Sequence, residues 1–152
     1  MTTRIVNEVT ISGPLDDVFD LVTTTRYWTE WHPATVGVSG VVDRPIASGD
    51  VIRERAQIGQ HEYEGNWIVT EHLRPTRVVL VGETGRLQIG YTFSVDGAAT
   101  RFRRELQYEA EDFSASAPDP ALLEQLMHRQ SQVGLDKLKQ LVEGLIARAP
   151  AP

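Results

Sequence analysis

One long stretch near the C-terminus decides the fold: residues 118–148, with the sequence PDPALLEQLMHRQSQVGLDKLKQLVEGLIAR. Asp119 can cap a helix, and Pro120 suits the first helical position. Apolar residues then recur three or four positions apart, as on the buried face of an amphipathic helix. They are Leu123, Leu126, Met127, Val133, Leu138, Leu141, Val142, Leu145 and Ile146. Such a helix is roughly 42 Å long and can lie across a whole sheet.

The residues upstream of this helix show the two-residue alternation of β-strands. Turn residues such as Asp96-Gly97 separate the predicted strands. The strands lie near 4–11, 35–42, 50–58, 61–72, 77–83, 86–95 and 101–111. Two short predicted helices follow the first strand, one opened by Gly13-Pro14 and one over about 25–31.

Along 86–95, for example, one face carries Leu87, Ile89, Tyr91, Phe93 and Val95. The alternation leaves one apolar and one polar face, which is typical of an antiparallel sheet. The C-terminal helix is the only large amphipathic element that can cover the apolar face. We therefore predict an α+β fold in which a curved antiparallel sheet of about seven strands wraps around this helix and leaves a cavity. The prediction is one domain over 1–148, followed by a flexible tail over 149–152.

Composition excludes several classes of function. The chain has 152 residues, with 15 Lys and Arg against 21 Asp and Glu, and the net charge of −6 disfavours nucleic-acid binding. The absence of cysteine excludes disulfides, thiol catalysis and cysteine-based zinc sites. There is no apolar run of about 18 residues and no apolar signal segment before the first strand, so we expect a cytoplasmic protein without stable membrane insertion.

Several short segments, taken in their order and spacing, resemble a known family. They are Gly13-Pro14 with Val18-Phe19-Asp20, Trp28-Thr29-Glu30-Trp31-His32-Pro33, Gly49-Asp50, Trp67-Ile68-Val69-Thr70-Glu71 with Pro75, Tyr91-Thr92-Phe93, and Thr100-Arg101-Phe102. The chain is similar over about residues 4–146 to the polyketide cyclase/dehydrase-like group of the START-like (SRPBCC) superfamily. The resemblance implies the helix-grip fold and a deep cavity for lipids, polyketides, aromatics or hormones.

Members of that superfamily include enzymes, many carriers and a few protein-interaction modules. Its cyclases place arginine and tyrosine in the cavity. No catalytic position can be matched in this sequence, so no catalytic residue is carried over from the resemblance.

Arg104 is the most unusual candidate. It alternates in phase with Phe102, Leu106 and Tyr108, on the face predicted to be buried. A buried guanidinium needs a carboxylate or an anionic ligand. Glu54, in phase with apolar residues of its own strand, is the candidate partner. Three interpretations stay open: Arg104 orients a ligand oxygen, forms a structural ion pair, or reaches water at a strand end.

Aromatic residues supply further candidates. Trp28 and Trp31 are three positions apart on a short helix, where they either wall the cavity mouth or anchor the helix to the sheet. Tyr91 and Tyr108 point inward by phase, either to pack in the core or to hydrogen-bond a ligand. Trp67 lies on the same predicted strand face as the candidate His61.

His61 shares the phase of Trp67 and either faces the cavity or is a partly exposed strand histidine. Met127 and Gln130 lie on the helix face that either lines the cavity or packs as core. Gly134 would make room there for a ligand or a strand. The four histidines have no metal-binding spacing, and no cofactor motif is present, so we expect neither a metal nor a cofactor.

Three functions stay open. The first is a carrier or sensor that binds a mostly hydrophobic small molecule. The second is an aromatase/cyclase or dehydratase of polyketide-like substrates, which would use a pocket acid/base and an oxygen-stabilising donor. The third is a protein-interaction module, which requires a large exposed apolar patch. The chain itself is expected to be a monomer or a homodimer.

Overall fold

The computed structural model describes residues 2–149, which form one antiparallel sheet and three α-helices. The sheet has seven strands in the order β1-β7-β6-β5-β4-β3-β2. The strands are β1 (Thr2–Ser12), β2 (Thr35–Gly40), β3 (Val51–Ile58), β4 (His61–Leu73), β5 (Arg77–Gly82), β6 (Gln88–Asp96) and β7 (Ala99–Glu109). The predicted fold class is confirmed, and the predicted flexible tail falls almost entirely outside the described residues.

Helices fill the concave side of the sheet. They are α1 (Leu15–Val22), α2 (Trp28–Trp31) and α3 (Pro120–Arg148), with single 3-10 turns over Thr25–Tyr27 and Ala110–Phe113. Asp119 caps α3 as predicted, because its side chain accepts a hydrogen bond from the backbone N–H of Ala121. The helix contacts β1, α1 and α2.

Two β-bulges help the sheet to curl around α3. One interrupts the β2–β3 pairing between Thr35 and Gly37, and the other interrupts the β4–β5 pairing between Val69 and Glu71. A bulge bends its strand and increases the local twist. The concave face packs as a core against α1 and α3, where the ring of Phe93 lies 4.9 Å from that of Phe19, centroid to centroid.

Two residues assigned to the apolar face lie in solvent instead. Val133 is 43% exposed and Val95 is 66% exposed. Val133 is two positions from both Ser131 and Leu135, or about 200° around the helix, and those two residues face the core. Val95 stands next to the β6–β7 turn, where the strands extend beyond the core.

Gly134 allows α2 and α3 to approach closely, rather than making room for a ligand or a strand. A Cβ atom at this position would lie 3.1 Å from both Pro33 Cδ and the backbone oxygen of Trp31. In the same helix, a Cβ at Gly144 would meet only the mobile guanidinium end of Arg148, at 3.2 Å. The two glycines therefore form a matched pair for testing the contact.

We expect Gly134→Ala to lower the free energy of unfolding by about 1–3 kcal/mol, because the rigid neighbours must shift. Gly144→Ala is expected to raise it by up to about 1 kcal/mol through helix propensity. Chemical denaturation of both variants measures the difference. If the two alanine substitutions stabilise the protein equally, α2 moves away from the new methyl group at no cost in free energy.

Candidate ligand-binding cavity

A cavity of about 290 Å³ lies between the concave face of the sheet and the N-terminal half of α3. Apolar side chains form most of its wall: Ala34, Ala56, Ile58, Leu87, Ile89, Leu106, Phe113 and Met127. This volume is near the lower end of the range for small-molecule pockets, about 300–1,000 Å³. The exposed carboxylates Glu64, Glu83 and Asp112 also line the cavity, and we call them the acidic rim.

Arg104 occupies the inner end of the cavity. Its side chain comes from β7 and only 3% of the residue is exposed. Nη1 donates to Ser131 Oγ at 3.0 Å, and Nη2 lies 3.2 Å from His32 Nε2. Since a guanidinium can only donate, Nε2 of His32 must accept. The buried positive charge is thus held between α3 and the end of α2.

A directed chain of hydrogen bonds runs from Arg104 to a carboxylate. Because Nε2 of His32 accepts, the proton of the neutral imidazole sits on Nδ1, which lies 2.7 Å from Thr35 Oγ1. Thr35 accepts that bond and donates its own proton to Glu54 Oε2 at 2.5 Å. Trp67 Nε1 donates to the other oxygen, Oε1, at 2.9 Å. Every group in the chain has a defined role.

Burial fixes the protonation of the groups at this end. It holds the pKa of His32 well below its ordinary value, and the charge of Arg104 lowers it further. Burial also raises the pKa of Tyr91 to about 12, although Arg104 offsets part of that rise. At neutral pH the imidazole and the phenol are both uncharged, while the guanidinium keeps its charge.

A smaller inner void of about 10 Å³ adjoins Arg104. Trp28, Trp31 and Tyr91 line it together with Glu54 and the guanidinium. Nε1 of each tryptophan and Nε of Arg104 are buried without a hydrogen-bond partner among the described residues. Buried donors without acceptors are costly, and the void has about the volume that one water or one ligand oxygen needs.

The structure brings most of the predicted site residues together. Glu54, Trp67, Arg104, Met127 and Gln130 line the cavity. Trp28, Trp31 and Tyr91 line the inner void. Two other candidates, His61 and Tyr108, line neither space.

The positions of these two residues have simple causes. His61 is the first residue of β4, where the strand extends past the core, so the side chain is exposed, with its ring 4.7 Å from that of Tyr63, centroid to centroid. Tyr108 is fully buried, with its ring against Phe113. The proposed direct pair of Arg104 and Glu54 is also corrected, because the two are joined through His32 and Thr35.

Sequence reasoning missed His32, Thr35 and Ser131 as members of the polar chain. Thr35 lies at the β2 bulge, which turns it inward and leaves Val36 exposed, the reverse of a simple apolar pattern. Ser131 lies on the buried face of α3, where a serine resembles a tolerated small residue. His32 ends a four-residue helix, and nothing local relates it to a strand 72 residues away.

Two further features bear on the kind of site. Across residues 2–149, no group of three or more histidine, aspartate or glutamate side chains is placed to hold a metal ion. None of the helices described has the length and apolarity needed to cross a membrane.

Solved structures share this architecture. The Zhui aromatase/cyclase from Streptomyces sp. R1128 is 14% identical, with a TM-score of 0.75 and complete coverage of both chains. Bacillus halodurans protein BH1534 is 19% identical with a TM-score of 0.71, over 94% of this chain and 100% of that one. The Aha1 dimer from Colwellia psychrerythraea is 17% identical with a TM-score of 0.65, over 97% and 99% of the chains. At these identities the likeness establishes the fold alone.

Sequence comparison identifies the family. A search of curated proteins found no match. In contrast, the sequence pattern of the family described as polyketide cyclase / dehydrase and lipid transport matches residues 2–143, nearly the whole chain. The sequence match and the helix-grip architecture agree, and the family has a fold that binds hydrophobic ligands. The chain therefore belongs to the polyketide cyclase/dehydrase and lipid transport family, within the SRPBCC superfamily.

Proposed function

We propose that the protein is a carrier or sensor that binds one mostly hydrophobic small molecule, a lipid, polyketide or aromatic compound, in this cavity. The observation that supports it best is an apolar cavity of about 290 Å³ that has Arg104 in its wall and adjoins the small void lined by Trp28, Trp31 and Tyr91. Pockets of this kind bind the ligand body by apolar contact and fix its orientation with a few polar groups.

The residues of the cavity wall indicate how a ligand is oriented in the cavity. Ile58, Leu106 and Phe113 offer apolar surface along the length of the cavity, and Met127 adapts its shape to an irregular guest. At the inner end, the guanidinium of Arg104 lines the cavity and can donate to a ligand oxygen. The volume fits one or two fused rings or a medium-length chain.

Gly65 provides a direct test, because it lies in the cavity wall and the space in front of its Cα is empty. A Cβ atom at Gly65 would meet nothing within 4 Å, and the residue lines the cavity. We expect Gly65→Leu to fill the cavity, to leave the protein folded, and to weaken binding of naphthalene-sized and medium-chain ligands at least about tenfold, or 1.4 kcal/mol. Isothermal titration calorimetry and ligand-dependent thermal shifts measure the loss.

The matched control is Gly90→Leu on β6, whose neighbours Ile89 and Tyr91 face inward. A Cβ at Gly90 would meet only the guanidinium of Arg77, at 3.9 Å, on the outer face of the sheet. Gly90→Leu is expected to bind ligands like the unmodified protein. Unchanged binding in Gly65→Leu, or no binding by the unmodified protein, would contradict the proposed function.

The two alternative functions have less support. The cyclase or dehydratase alternative needs Arg104 close to the candidate acid/base residues. Tyr91 lines the same void as Arg104, whereas His61 and Tyr108 do not. An interaction module requires a continuous apolar patch. Among the described residues, the sheet register places one pair of exposed large apolar residues side by side, Val51 and Ile68, and the others are Val36, Leu73, Val95, Leu122 and Val133. Cytoplasmic location and a monomeric or homodimeric state stay predictions from the sequence.

A further inference from the structure

We propose that the cavity selects uncharged ligands with a carbonyl or similar acceptor oxygen and rejects carboxylates of the same shape. This inference rests on the proposed function and concerns the chemical class of its ligand. It runs against the simple expectation that a buried arginine in a pocket binds an anion.

The positive charge of Arg104 already has a counter-charge within the protein. The chain through His32 and Thr35 ends on Glu54, and both oxygens of that side chain accept hydrogen bonds. Thr35 Oγ1 donates to Oε2 and Trp67 Nε1 donates to Oε1, so each oxygen of Glu54 accepts a hydrogen bond, as the oxygens of a carboxylate do. The negative charge of Glu54 offsets the positive charge of Arg104, so this end of the cavity has no net charge for a ligand to neutralise.

An incoming carboxylate would therefore lie near Glu54 as well as near Arg104. Both residues line the cavity and the inner void. Like charges in a poorly solvated space repel strongly, and the anion would also lose its hydration. The attraction of Arg104 for an anion is thus opposed by a fixed carboxylate at the same end.

The acidic rim adds to this selection. Glu64, Glu83 and Asp112 line the outer part of the cavity and are exposed. Two of them pair with arginines, Glu64 with Arg53 at 3.1 Å and Asp112 with Arg86 at 2.9 Å. Neither of these arginines lines the cavity. The charged groups that line the outer part of the cavity are therefore carboxylates, beside the uncharged Asn66 and Thr84.

Three hydrogen-bond donors beside the inner void have no acceptor within the protein's described residues. Trp28 Nε1, Trp31 Nε1 and Arg104 Nε are buried donors without partners among the described residues. A ketone, aldehyde, amide or ester carbonyl accepts hydrogen bonds without bringing a charge. An ammonium group would offer only more donors, beside an arginine. An uncharged acceptor is the group that satisfies this end.

The experiment compares nearly isosteric ligands at neutral pH. The pairs are 2-acetylnaphthalene with 2-naphthoate, and 2-undecanone with decanoate; 2-(aminomethyl)naphthalene tests a cation. Titration calorimetry should show each ketone binding at least about tenfold more tightly than its carboxylate, with the amine also weaker. A carboxylate or amine that binds as well as the ketone overturns the inference and leaves the proposed function standing. Binding by none of the five overturns both.

Glu54→Gln tests the cause of the selectivity. The variant keeps the shape of the side chain but removes the negative charge, so carboxylate affinity should rise at least about tenfold while ketone affinity changes little. Glu62→Gln is the control, since Glu62 pairs with Arg55 outside the cavity and should leave both affinities unchanged. Carboxylate binding that Glu54→Gln does not improve, in a variant shown to be folded by circular dichroism, contradicts the role of Glu54.

Discussion

Replacing Glu54 by alanine is expected to lower the free energy of unfolding by about 3–5 kcal/mol, because two hydrogen-bond donors lose their acceptor and Arg104 loses the counter-charge that it reaches through His32 and Thr35. The change would leave the guanidinium of Arg104 buried without a counter-charge. It would also remove the acceptors of Thr35 and Trp67, and each buried donor left without an acceptor adds about 1–3 kcal/mol. Urea denaturation with global fitting gives the free energy directly.

The double variant Glu54→Ala with Arg104→Met separates charge from packing. Removing both charges should recover part of the lost stability, because no ion stays buried unpaired. Glu62→Ala is the surface comparison, and we expect a change within about 0.5 kcal/mol. A loss below about 1 kcal/mol in Glu54→Ala would mean that water reaches Arg104 and that the chain is not structurally required.

Acidification is expected to destabilise the protein through His32. Its pKa in the folded state lies well below the ordinary value of 6.5, because burial and Arg104 oppose the charged imidazolium. Between those two pKa values the unfolded chain binds the extra proton, so the stabilising contribution is complete above about pH 6.5 and decreases as the pH falls. The decrease approaches about 1.4 kcal/mol per pH unit in this window.

Comparing variants isolates this histidine from the carboxylates that also titrate in acid. Denaturation of the unmodified protein and of His32→Gln at pH 7, 6 and 5 should show a shallower dependence in the variant. The control is His61→Gln, because His61 is exposed at the start of β4 and should leave the slope unchanged. Identical slopes in all three proteins would show that His32 protonates without penalty in the fold.

Much of the fold could be predicted from the sequence because its signals are local and repeated. Along β6, apolar and polar residues alternate over nine positions, and in β7 Phe102, Leu106 and Tyr108 keep one phase, which is enough to fix which face is buried. The terminal helix begins where Asp119 and Pro120 predict. The errors at Val95 and Val133 occur where one apolar residue in an exposed setting resembles one in the core.

The candidate site was predictable only in part. Strand phase placed Arg104 and Glu54 on the concave face, since each lies in a regular strand. The connection between them could not be predicted, because it passes through the end of a four-residue helix at His32 and a bulge at Thr35. Three-dimensional packing alone brings those positions next to a distant strand.

The two halves of α3 have different roles. Its first half presents Met127 and Gln130 to the cavity, whereas Leu138 and Val142 in its second half are buried in the core. Substitutions at Met127 and Gln130 therefore reshape the guest space, whereas substitutions at Leu138 and Val142 threaten the scaffold. In directed evolution, libraries confined to Met127 and Gln130 could explore new guests while the anchoring half holds the architecture constant.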